Sequence, residues 1–324
     1  MKYLLAICFF LSGVSVAAQP GVYRWHWHRS GDSLLISGMK ADGSRESVLV
    51  PFESTVRRFG RLYRIADLLE YERTATFFET IDSLSHTLVQ PFAPELRQAQ
   101  RLEIVLDSNL VSLPIEFLKI NAELLALHCP LVFRISTGSG SGPDKVRLTQ
   151  GALLRDTSAD PENACRFVQR MFPGSVLKPA HTLRSFRING QADFAVLSTH
   201  GVVDSASGKG ILFLNEKPLD PDLLFGGKPL KLLYIDACQQ GVSQTLIGRL
   251  ARQKARWLLA PIISNDSGES STRTMTGFFS HLKRNDDPAK ALWETRKELY
   301  RHYGVGWSPL DRVNKSLIFR AYLF

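Results

Sequence analysis

The chain predicts an α/β fold built on a mostly parallel central sheet, and three observations carry that expectation. FAVLS at 194–198, KLLYI at 231–235 and WLLAPII at 257–263 are short, continuously apolar runs bounded by Gly and polar residues. Such runs read as strands covered on both faces, as parallel strands are. Segments of helical periodicity stand between them. Phe77, Phe78, Ile81, Leu84 and Leu88 recur at about 3.6-residue spacing over 74–90. Asp287-Pro288 reads as the N-cap and first residue of the last helix, whose face runs through Ala289, Leu292, Arg296, Leu299 and Tyr303. Finally, 324 residues at 44% hydrophobic composition suffice for a large buried core.

Two of these strands break off into reactive side chains. FAVLS runs into Thr199-His200-Gly201, and KLLYI runs into Asp236-Ala237-Cys238-Gln239-Gln240-Gly241. In open α/β sheets functional groups collect just past the carboxyl ends of strands, so His200 and Cys238 are expected to be neighbours in space. Taken alone, a Cys after an apolar strand is more often a small buried hydrophobe, and a lone His is a hydrogen-bonded structural residue. Together, in matching positions with Gly following both, they point to a thiol nucleophile and the base that activates it. Gly201 and Gly241 are expected to let the backbone approach a substrate closely and adopt positive φ.

These residues carry a resemblance. THG after one strand and ACQQG after the next resemble the caspase-like cysteine peptidase clan, and most of all its CHAT branch, the bacterial relatives of caspases and separase. The Ala-Cys pair is similar to the caspase pattern, with one additional residue before the Gly and Asp236 in place of a Gln. Three further segments resemble CHAT domains in the expected order: RLEIVLDSNLVSLPIEFL at 101–118, DPENACRFVQRMFPGSVL at 160–177 and TGFFSHLKRNDDPAKALWETRKELY at 276–300. The resemblance implies a caspase-like three-layer α/β/α sandwich over 74–324, preceded by a small, mostly β segment at 19–73. Many CHAT proteins carry helical repeats ahead of this domain; no period near 34 residues is visible here.

The activity implied by the resemblance is that of a cysteine endopeptidase acting on protein or peptide substrates. Cys238 would attack the scissile carbonyl, His200 would serve as general base and acid, and the backbone N–H groups of Gly201 and Cys238 would hold the oxyanion. No metal or cofactor is called for. Asp236 stands where metacaspases carry an acid that helps bind a basic side chain, which implies a preference for Arg or Lys before the cut, with Asp204 and Asp266 as additional acids. In the other reading Asp236 caps or hydrogen-bonds its own loop. Two other classes stay open: a caspase-fold binding or scaffold protein without turnover, and a non-peptidase thiol acyl hydrolase or acyltransferase.

The rest of the chain bounds these readings. Residues 1–18 read as a signal peptide, with Lys2 before an apolar core and Val16-Ala17-Ala18 before Gln19, so the protein is expected in the periplasm or outside the cell. That core falls short of the roughly 20 residues of a spanning helix, and no other segment is long and apolar enough to anchor the chain. The net charge of +9 includes a cluster at Arg249, Arg252, Lys254 and Arg256, which reads as a solvated helix face without any nucleic-acid motif. Beyond the leader, Cys129, Cys165 and Cys238 make an odd number, leaving at least one unpaired thiol or an intermolecular bridge. With Cys238 as nucleophile Cys129 and Cys165 are free to pair, although their positions on regular elements read as two separately buried thiols. No cysteine pair has zinc-site spacing, and the alternation of Trp25 and Trp27 with His26 and His28 reads as a half-buried edge strand.

Strands are expected at 102–106 and 131–136 with a helix over 114–126 between them, followed by the Gly/Ser loop TGSGSGPD at 137–144. A strand at 211–214, a short helix and connection over 218–230, and a helix over 243–253 come next. NDSGE at 265–269 is expected as a polar strand-end loop beside His200 and Cys238, and IFRAYLF at 318–324 as a final strand.

Overall fold

A computed structural model describes residues 21–40, 43–136, 144–182, 188, 191–204, 207–219, 229–253 and 255–324. The leader at 1–18, the loop at 137–143 and most of the short helix expected over 218–230 lie outside the described residues. The strands are β1 (Val22–Ser30), β2 (Ser33–Met39), β3 (Arg45–Pro51), β4 (Arg101–Leu106), β5 (Lys119–Ile120), β6 (Glu123–Leu124), β7 (Leu131–Ile135) and β8 (Gly151–Arg155). After them come β9 (Val176–Pro179), β10 (Phe194–Ser198), β11 (Gly201–Asp204), β12 (Lys209–Leu214), β13 (Lys217–Leu219), β14 (Leu230–Asp236), β15 (Ala255–Pro261) and β16 (Phe319–Leu323). The helices are α1 (Phe52–Asp67), α2 (Thr74–Leu88), α3 (Ala93–Gln98), α4 (Leu125–His128), α5 (Ala164–Met171), α6 (Gln244–Gln253), α7 (Glu269–Asn285), α8 (Pro288–His302) and α9 (Pro309–Ser316).

Eleven strands form one sheet in the order β3-β2-β1-β4-β7-β16-β15-β14-β10-β8-β9. Pairing is parallel from β1 to β16 and again from β15 to β9. It is antiparallel between β15 and β16 and through the N-terminal meander. Every residue of β10 and β16 is buried, so the middle of the sheet is covered on both faces, as the apolar runs predict. Rings from separate elements fill the layer against β14: Tyr234 stacks on Phe319 at 5.2 Å and meets Phe279 at 5.5 Å, and Phe279 meets Phe194 at 5.6 Å.

The structure departs from the sequence reading at several places. β1 is not an edge strand; it pairs with β2 on one side and β4 on the other, so the N-terminal meander is continuous with the central sheet. The same segment contains the 16-residue α1, whose Phe59, Leu62, Ile65 and Ala66 are buried. α8 is followed by one more helix, α9, opened by a Ser308 hydroxyl that accepts from Asp311 N. Over 114–126 there is no continuous helix but a short turn at Ile115–Phe117, the β5–β6 pair and the start of α4. The cause is Arg320 of β16, fully buried, whose guanidinium draws the carbonyls of Val111 and Leu113 and the carboxylate of Glu116 inward.

Arg320 and Glu116 are each other's charge partner in a dry interior. Removing one partner of such a pair leaves an uncompensated buried charge. Glu116→Ala is expected to lower the unfolding free energy by about 3–5 kcal/mol, read as a lower urea midpoint.

Candidate active site

The parallel register of β10 and β14 sets Ser198 opposite Asp236, and the next residue continues the pairing as Thr199 N donates to Asp236 O at 3.2 Å. His200 and Cys238 each stand two residues past that pair, on strands spaced about 4.8 Å apart. The Asp236 side chain is 4% exposed and accepts from Ser198 Oγ at 2.9 Å, Ser271 Oγ at 2.8 Å and Asn265 Nδ2 at 2.6 Å. These donors come from three separate segments, and no Lys or Arg among the described residues lies within ion-pair distance of it. Burial, opposed by those three bonds, pushes its pKa up to about 6.

The residues after Cys238 tie its loop to two other parts of the molecule. Gln239 has φ 61°, and its amide donates to Asp67 Oδ2 at 3.0 Å, while Asp67 Oδ1 accepts from Ser264 N at 2.5 Å. The last residue of α1 is thereby docked on the site. Gln240 is fully buried, and its Nε2 reaches Val202 O at 3.1 Å, Ile211 O at 3.4 Å and Cys238 O at 3.1 Å, joining the cysteine loop to the β11–β12 hairpin. Tyr322 of β16 donates to Gly241 O at 2.7 Å.

Gly201 and Gly241 do not adopt the expected positive φ; the left-handed residue of the cysteine loop is Gln239. What both glycines meet is a lack of space. A Cβ on Gly241 would stand 2.6 Å from Ala260 O, and one on Gly201 2.9 Å from Gln240 Nε2. Gly201 pairs with Leu212 next to the hydrogen bond from Phe213 N to His200 O. Antiparallel ladders alternate bonded and non-bonded positions, so the Gly201 N–H faces the open edge of β11.

Cys238 is half-buried, and its S–H donates to Asn265 O at 3.6 Å. The loop expected beside the cysteine is therefore in contact with it. Burial pushes the Cys238 thiol up, the Asn265 backbone contact opposes this in part, and the charges of Asp236 and Asp67 push it further up. His200 is exposed, with Nε2 2.8 Å from Ser158 Oγ, which in turn donates to Asp156 Oδ1 at 2.7 Å. No hydrogen bond joins His200 to Cys238 among the described residues. Burial pushes the Asp156 pKa up, but bonds from the Ser158 hydroxyl and N–H, with the nearby His200, outweigh it and hold the carboxyl below its usual range.

The other acids named by the sequence lie nearer the surface. Asp204 ends β11 and accepts from Ser207 Oγ at 2.6 Å; Asp266 is exposed, with Lys315 Nζ 3.7 Å away. Sequence reasoning missed Asp156, Ser158, Asp67 and Gln240. Asp156 could have been found, since it follows a buried strand just as His200 and Cys238 do; Asp67 closes a helix with no motif around it. Among the described residues, no group of three or more His, Cys, Asp or Glu is arranged to hold a metal ion. None of their helices is long and apolar enough to cross a membrane.

No family model matches the chain, and no curated protein matches it. A solved structure does: the separase–securin complex of Saccharomyces cerevisiae superposes with a TM-score of 0.57 at 9% identity over 94% of this chain. The chain spans 30% of the length of that neighbour. The large, mostly parallel sheet with its helices is thus a caspase-like fold of the kind found in separase.

Two expectations follow. Cys129 and Cys165 are buried free thiols, the first with its pKa pushed up to about 12 by burial and the second also pushed well up by burial, so iodoacetamide should modify Cys238 first, and faster as pH rises, by peptide mass spectrometry. Because the Asp236 pKa is raised in the folded state, its stabilising contribution is full below the unfolded value of 3.8 and is lost as pH rises through about 6. Asp236→Asn should therefore remove a loss on the order of 3 kcal/mol between pH 4 and pH 8, measured by urea unfolding across that range.

Proposed function

We propose that this chain is an exported cysteine endopeptidase with a caspase-like fold, cleaving protein or peptide substrates through Cys238 and His200. The observation that carries the reading is the β10–β14 register, which supports a thiol and an imidazole at equal positions past neighbouring strand ends. The leader-like residues 1–18 support export.

In the reaction Cys238 Sγ attacks the scissile carbonyl while His200 takes the thiol proton. The intermediate collapses as that proton passes to the departing amine, and water then releases the acyl group from sulfur. With the thiol pKa raised, proton transfer accompanies attack instead of preceding it. Attack also requires the thiol to give up its hydrogen bond to Asn265 O. The outward N–H of Gly201, with that of Cys238, would hold the oxyanion.

A preference for Arg or Lys before the cut draws support from the acids around Cys238. Asp236 is enclosed by three donors, so Asp67 and Asp266 are the carboxylates better exposed to a substrate side chain, with Asp204 farther along the β11–β12 hairpin. A second reading, a scaffold without turnover, is favoured by the separate hydrogen bonds of Cys238 to Asn265 and of His200 to Ser158.

The test is cleavage of a positional-scanning fluorogenic peptide library by the mature protein under reducing conditions. Turnover after Arg or Lys, abolished in Cys238→Ala, is the expected result. A folded protein that cuts nothing supports the scaffold reading, and release of acid from esters without peptide cleavage supports the acyl hydrolase.

A further inference from the structure

Resting on the peptidase reading, we infer that Ser158 and Asp156 are positioning residues that hold His200 with its proton on Nε2, leaving the Nδ1 lone pair as the base for the Cys238 thiol. Asp156 Oδ1 accepts both the N–H of Ser158 at 2.9 Å and its hydroxyl at 2.7 Å. An ionised carboxylate has no proton to give, so the Ser158 hydroxyl proton is committed to Asp156. What Ser158 Oγ then offers His200 Nε2, 2.8 Å away, is a lone pair. Only a ring protonated at Nε2 makes that contact a hydrogen bond, and a neutral ring of that kind has its acceptor at Nδ1.

The loop that presents Ser158 is fixed at both ends. β8 pairs with β10 in the register Arg155 to Ser198, and Asp156 N donates to Ser198 O at 2.8 Å, so the loop leaves the sheet beside the strand that ends at His200. Arg155 Nε meets Asp160 Oδ2 at 3.1 Å, Asp160 N donates to Asp156 O at 2.9 Å, and Asp160 caps α5 through Ala164 N and Cys165 N. A hydroxyl on so constrained a turn orients its partner without moving to meet it. When His200 takes the thiol proton, the Nε2–H keeps its hydrogen bond to Ser158 Oγ.

The experiment reads the ring itself. Long-range ¹H–¹⁵N correlation spectra of the mature protein, with His200 assigned from His200→Gln, should show the neutral ring protonated at Nε2, and Ser158→Ala should show a mixture of both forms. On a peptide that the wild type cleaves, Ser158→Ala should lower kcat by up to about 10²-fold with KM little changed, and Ser158→Thr, which keeps the hydroxyl, should restore most of it. A wild-type ring protonated at Nδ1 overturns the inference, as does a Ser158→Ala protein with the ring form and kcat unchanged. The spectra need no turnover. If no peptide is cleaved while the ring is held at Nε2 by Ser158, the peptidase reading falls and the positioning role stands.

Discussion

The site depends on one alignment, the parallel pairing that sets Ser198 of β10 beside Asp236 of β14. Strands in that register place His200 and Cys238 two residues past the same level, and a one-residue slip of either strand would turn its side chains to the opposite face. The buried carboxylate of Asp236 fastens the register from within. It takes one hydrogen bond from the histidine strand, one from α7 and one from the loop after β15, so the elements around Cys238 share a single acceptor. Gln240 repeats the device one layer out, where one buried amide spans the cysteine loop and the β11–β12 hairpin.

This arrangement is electrostatically costly for a thiolate at Cys238. Carboxylates at Asp236 and Asp67 face a half-buried sulfur, and both disfavour the thiolate. The imidazole sits against Ser158, whose hydroxyl donates to Asp156. The thiol is thus tuned toward keeping its proton. In the proposed reaction attack and proton transfer would therefore occur together, and a positively charged substrate side chain near the acids would ease loss of the thiol proton.

Much of the frame was legible in the sequence because strand burial is written locally. FAVLS corresponds to β10 residue for residue, and KLLYI and WLLAPII fall on β14 and β15 within two residues at either end. The helix over 74–90 and the Asp287 cap followed from periodicity and capping chemistry in the same way. α1 was hidden by Gly60 and its arginines, which blur the apolar stripe. The turn at Ile115–Phe117 was hidden for another reason, since the Arg320 that reshapes it lies some 200 positions away in the chain. The contacts of Asp67, Ser158 and Gln240 belong to the same class: each joins segments whose proximity exists only once the sheet has formed.

The peptidase reading requires Cys238 and His200 to act as one chemical unit. It is tested most directly by the rate at which an arginyl acyloxymethyl ketone, an electrophile that needs an enzyme-like thiol, forms a covalent adduct in the mature protein and in His200→Ala. A single adduct on Cys238, formed at least tenfold more slowly without the imidazole, is the predicted result. An equal rate in both proteins, or an adduct on Cys129 or Cys165 instead, would contradict the account.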